Sequence, residues 1–109
     1  MIGDLKLLQL AAKAIGMDGD VEGFHTRPLG IYTGPIRPDG MSYWNPITTD
    51  ADALRLSVSL MLDIRHTSDE VAVCALHGVW MTEPVYMDRL EATRRAIVRA
   101  AASIGEVMP

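Results

Sequence analysis

Hydrophobic and polar positions divide the chain into a helical start, a broken middle, a second helix, a run of strands and a helical end. Over residues 5–15 the polar Lys6, Gln9 and Lys13 recur at helical spacing, while Leu5, Leu8, Ala12 and Ile15 fall on the other side. That pattern predicts an amphipathic helix. Asp4 stands where a side chain caps the amides of a first turn, and Gly16 where a left-handed residue ends a helix. Between Met17 and Pro46 glycine and proline are too frequent for a long helix. Residues 23–26 and 29–32 read as a hairpin or edge strands there, and residues 34–40 as an exposed loop.

A second helix is expected after Thr49, whose hydroxyl is placed to cap the amide near Asp52, with Asp50 and Asp52 in the first turn. Leu54, Val58, Met61 and Leu62 form one apolar row and Ala53, Leu56 and Leu60 a second. Only Asp52, Arg55 and Ser59 remain as a polar stripe, so this helix should be largely buried.

The period then changes to two. Residues 63–66, 70–76 and 79–83 read as three strands of an antiparallel meander. With Thr67, Ser68 and Asp69 as one turn and His77-Gly78 as the other, Ile64 faces Ala72. Leu62, Cys74 and Met81 then share one side, and Val71, Val73, Ala75 and Trp80 the other. A sheet apolar on both faces needs cover on both. The expected fold is therefore α+β, an antiparallel β-meander covered by helices on both faces in a three-layer α/β/α sandwich. A last helix is expected over residues 88–104: Asp88 and Glu91 make a capping-box-like start, Gly105 supplies the stop, and Leu90, Thr93, Ile97, Ala101 and Ile104 line one face.

Composition narrows the function classes. A chain of 109 residues fits one domain spanning residues 1–109, and it buries roughly 65% of its unfolded surface without metal or disulfide staples. The net charge of −4 argues against general affinity for nucleic-acid phosphates, although a local basic face stays open. Cys74 is the single cysteine, the first residues lack a basic leader, and no apolar run reaches membrane-spanning length, so a cytoplasmic protein is expected.

The run Trp44-Asn45-Pro46-Ile47-Thr48-Thr49-Asp50-Ala51-Asp52-Ala53-Leu54-Arg55-Leu56, together with Glu91-Ala92-Thr93-Arg94-Arg95-Ala96-Ile97, resembles small phage and prophage proteins of the phage ABA sandwich family. The likeness covers the first helix and most of the chain after Tyr43. It implies helix, sheet and helix layers and a phage-encoded accessory protein in the host cytoplasm, and it implies nothing about catalysis. Physically, Trp44 is a ring to bury where the chain enters a helix, and Asn45-Pro46 favours a turn.

Candidate chemistry is thin. His25, His66, His77 and Cys74 lack zinc-ligand spacing, and Cys74 fits a small hydrophobe. No G-x-S-x-G elbow occurs, and nothing sets a histidine beside Ser57, Ser59 or Ser68. Asp50 and Asp52 are explained by capping, and Asp18-Gly19-Asp20 falls short of a calcium loop. The expectation is a non-enzymatic protein without cofactor or metal, acting on a host or phage protein, with inhibition of a host defence system as the setting. Tyr32, Arg37, Asp39 and Tyr43 are the candidate contact residues. Arg94, Arg95 and Arg99, with Arg89, form the one local excess of positive charge and would serve an acidic partner or, as the runner-up, a nucleic acid. A small ligand-binding or minor enzymatic domain is the third reading. Seven methionines leave material for a homodimer patch.

Overall fold

The computed structural model describes residues 3–17, 21–22, 30–32 and 43–109. In chain order these form α1 (Asp4–Ala14), β1 (Val21–Glu22), β2 (Gly30–Tyr32), β3 (Tyr43–Trp44), α2 (Asp50–Ser59), β4 (Asp63–His66), β5 (Glu70–Cys74), β6 (Trp80–Pro84) and α3 (Arg89–Val107). The α+β class and the antiparallel meander are as expected, whereas the expected cover of helices on both faces of the meander is not found among the described residues: α3 meets one face, and the other is open to solvent. β1-β2-β3 and β4-β5-β6 make two small antiparallel sheets.

Helix α1 forms where its period places it, burying Leu7, Leu8, Ala11 and Ala12, and it closes at Gly16 in the left-handed region. Gly3, not Asp4, occupies the cap position. The Asp4 carboxylate is drawn off to Arg95 of α3, an ion pair that the local sequence does not reveal.

Helix α3 is the centre of the molecule. Asp88 caps it as expected, accepting from the amides of Leu90 at 2.9 Å and Glu91 at 3.3 Å. It touches α1, α2, β5 and β6, so residues on several of its sides are buried, among them Ala92, Ala96, Val98, Ala100 and Ala101, while Glu91, Arg95, Arg99 and Glu106 form the strip left open or half-open to solvent. Those alanines let four neighbours approach at once. The expected stop at Gly105 is overturned: the helix runs on to Val107. A Cβ at Gly105 would collide with the Leu10 carbonyl, so this glycine marks where the α1 backbone passes against α3.

The meander occupies the expected segments in a register shifted by one. Thr67 donates its amide to the Glu70 carbonyl at 2.9 Å, which leaves a two-residue turn where three residues were expected. Beyond β5, Ala75 pairs with Val79 through a three-residue loop closed by Gly78 at φ +92°. A type I turn plus one left-handed residue has this form. Ile64 consequently faces Val73 rather than Ala72, and Cys74 faces Trp80 rather than sharing a row with Met81. Each one-residue slip moves side chains to the other face. Ile64, Val71, Val73 and Met81 thus gather on the single face that meets α3. The far face carries Asp63, Arg65, Ala72, Cys74, Trp80 and Thr82 and is open to solvent at Asp63, Arg65, Trp80 and Thr82. There the Arg65 guanidinium reaches the Trp80 ring, 4.9 Å from its centroid, from two strands away. Cys74 is half-buried on this face, with its thiol donating to the Ala75 carbonyl at 3.2 Å.

Helix α2 also departs from expectation. Its inner row, with Asp52, Ala53, Leu56 and Ser57, is buried against α3. The outer Leu54 and Val58, and Met61 just past the helix end, are 63%, 67% and 68% exposed. The helix is therefore half covered rather than largely buried. In the smaller sheet, Ile31 of β2 pairs with Trp44 of β3 and both are buried. β2 falls within the strand expected at residues 29–32, whereas residues 23–26 and 34–40 lie outside the described residues.

Candidate functional site

The Trp44-Asn45-Pro46 run is an internal brace. Asn45 accepts from the Ile47 amide through its Oδ1 at 3.0 Å, and its carbonyl accepts from the Thr49 amide at 2.9 Å, which folds the chain back into α2. The buried Asp52 carboxylate accepts from the Asn45 amide at 2.9 Å. With Trp44 buried as well, the run orients a turn and anchors a helix. Thr49 occupies the cap position of α2, but its side chain makes no capping hydrogen bond.

The arginines of α3 are tethers as well. Arg89 donates to the carbonyls of Thr67 at 2.7 Å and Ser68 at 3.0 Å, holding the β4–β5 turn, and to His66 Nδ1 at 3.1 Å. Arg94 donates to the Ile47 carbonyl at 2.8 Å and to Asp50 at 2.6 Å. Arg95 binds Asp4 at 2.9 Å. That hydrogen bond raises the guanidinium pKa; burial works against it, and the negative charges of Asp4, Glu83 and Glu91 add to the rise. Arg99 donates to the Thr82 carbonyl at 3.0 Å and lies 3.5 Å from Glu83. A cleft of about 610 Å³ between α1, α3 and β6 contains Arg95 and Arg99, but Glu83 and Glu106 line it too. A phosphate entering it would meet carboxylates as well as guanidiniums.

Among the other expected contact residues, Tyr32 and Tyr43 are brought opposite each other in the β2–β3 ladder, with Tyr43 half-buried. Arg37 and Asp39 lie outside the described residues. Arg94, Arg95 and Arg99 sit on α3, apart from that ladder.

One serine–histidine pair was not foreseen. Ser103 Oγ lies 3.4 Å from His77 Nε2. The Ser103 hydroxyl also donates to the Ala100 carbonyl, 2.6 Å away, which ties it to its own helix. The pair latches the β5–β6 loop to α3.

Among the described residues the most exposed large apolar side chains are Tyr86 and Met87, at 87% and 98%, in the connection from β6 to α3. This connection is held at both ends: the Val85 amide donates to the Asp69 carbonyl at 2.8 Å, and Asp88 caps α3. Glu83, Asp88, Glu91 and Arg95 line the hollow beside it. Sequence periodicity passes over this knob because it belongs to neither a strand nor a helix. The signal present is an apolar run, Val85-Tyr86-Met87, set between a proline and a helix cap. Among the described residues no group of histidine, cysteine and carboxylates is arranged to hold a metal ion, and no helix is long and apolar enough to cross a membrane.

In comparison with known proteins, the chain matches no family model, no curated protein and no solved structure.

Proposed function

We propose that this chain is a non-enzymatic phage or prophage accessory protein that acts by protein–protein contact in the host cytoplasm, with a host defence complex as its target. The observation that carries the contact reading is the knob of Tyr86 and Met87, presented to solvent from a connection anchored at both ends and bordered by three carboxylates and Arg95, a rim acidic on balance. Aromatic and methionine side chains supply large contact area, and a pre-formed loop loses little entropy on docking. An apolar pocket with a basic rim on the partner would fit it. The nucleic-acid alternative gains less support, because Arg94, Arg95 and Arg99 are already engaged by Asp50, Asp4 and Glu83. The phage setting rests on the Trp44-Asn45-Pro46 and Glu91–Ile97 runs alone, since the far face of the meander supplies no second helical layer among the described residues.

The test is affinity capture from nuclease-treated bacterial host lysate. The wild-type chain should retain one protein complex at high salt, and Tyr86→Ala with Met87→Ala should lose it while keeping the same circular dichroism spectrum. Recovery of nucleic acid alone, without nuclease and declining steeply between two salt concentrations, would replace this reading with the nucleic-acid one.

A further inference from the structure

We infer that the outer row of α2 is the interface between two copies of this chain, packed about a two-fold axis. Ala51, Leu54 and Val58 are all exposed and succeed one another at intervals of three and four residues, and the exposed Met61 follows just past the helix end. That is the spacing by which one helix lies along another. The inner row of the same helix is already buried against α3, so α2 is apolar on two sides and covered on one. The band continues past both ends of the helix. Leu90 borders the groove beside Leu54, and Leu76 and Val107 border the groove beside Met61.

Area, charge and backbone conformation favour a second copy as the occupant. Leu54, Val58, Met61, Leu76, Leu90 and Val107 expose on the order of 100 Å² each, or roughly 600 Å², before flanking atoms that bring the face toward the ~800 Å² per partner of a standard interface. A two-fold axis sets a patch upon itself, so unbalanced charge would meet its like. Here the flanking charges are matched within the chain, Arg55 lying 3.6 Å from Asp52 and Arg94 2.6 Å from Asp50. A neutral band suits its own copy, whereas foreign partners are usually selected by opposite charge. Met61 adds an independent mark. It holds φ at +51°, the left-handed position after a helix where glycine is ordinarily favoured, and its side chain is exposed. A long apolar side chain kept at a strained and exposed position has a use if another molecule covers it.

Sedimentation equilibrium on the full chain tests the inference. Wild type should be a dimer at micromolar concentration, and Leu54→Asp with Val58→Asp a monomer with an unchanged circular dichroism spectrum. Met61→Gly relieves the backbone strain while deleting the contact, so it should raise the dimer dissociation constant about tenfold or more without lowering the melting temperature of the dissociated chain. A wild type that stays monomeric at 100-fold higher concentration, or an aspartate variant that remains dimeric, overturns the two-copy interface. The Tyr86 and Met87 capture experiment is independent of this result, because those residues lie outside the α2 band; a dimer that captures no host complex would count against the proposed function alone.

Discussion

Helices α2 and α3 are alike in having too many apolar positions for a single-sided amphipathic helix, yet α3 is covered over most of its middle turns and α2 on one side only. α3 achieves this with small residues, so that α1, α2 and the meander all reach it. α2 carries leucine and valine on its outer side, with Met61 just past its end, and among the described residues α3 packs on the other side. Small residues draw a helix into the centre of a molecule, and large ones left outside mark a surface for something else to cover.

The comparison can be broken most severely at Gly105. In an open helix interior, glycine to alanine is stabilising. Here the added methyl would enter the Leu10 carbonyl, so Gly105→Ala should cost about 3 kcal/mol in urea unfolding. A stabilised variant would show that α1 and α3 do not approach as closely as described. Next in size is the brace between β3 and α2. Asp52→Ala removes the acceptor of the Asn45 amide in a buried setting, and a loss of about 2 kcal/mol is expected by the same measurement.

The smallest effect belongs to the partly exposed pair of Asp4 and Arg95, for which Asp4→Ala should cost no more than about 0.5 kcal/mol and less in high salt. The pH dependence follows from the raised Arg95 pKa. A cation whose pKa is raised by folding contributes stability that is present below its unfolded value and lost only as pH climbs through the folded one. The arginine's contribution should therefore hold constant between about pH 6 and pH 9 and fall only in strong alkali. Stability measured against pH for wild type and Asp4→Ala checks this.

Much of the element content was legible. The period-two segments became β4 to β6, the Asp88 cap was found, and Trp44 is a packing residue before α2. The register was not legible, because the choice between two-residue and three-residue turns depends on hydrogen bonds at Thr67 and Ala75 that local propensity hardly distinguishes. The roles of the arginines escaped for another reason. Asp4 and Arg95 are 91 positions apart, and no pattern within a single helix shows that they meet. Tyr86 and Met87 stand out only once the strands and helices around them are assigned and their exposure is known.

Alone, the amino-acid order determined where the chain is helical or extended, because period, caps and turn residues act over a few neighbouring positions. Tertiary structure decided which apolar row is covered, which charge meets which, and whether Gly105 stops a helix or admits a neighbouring backbone. Those outcomes depend on groups distant in sequence arriving at the same place, and on the space that each leaves for the others.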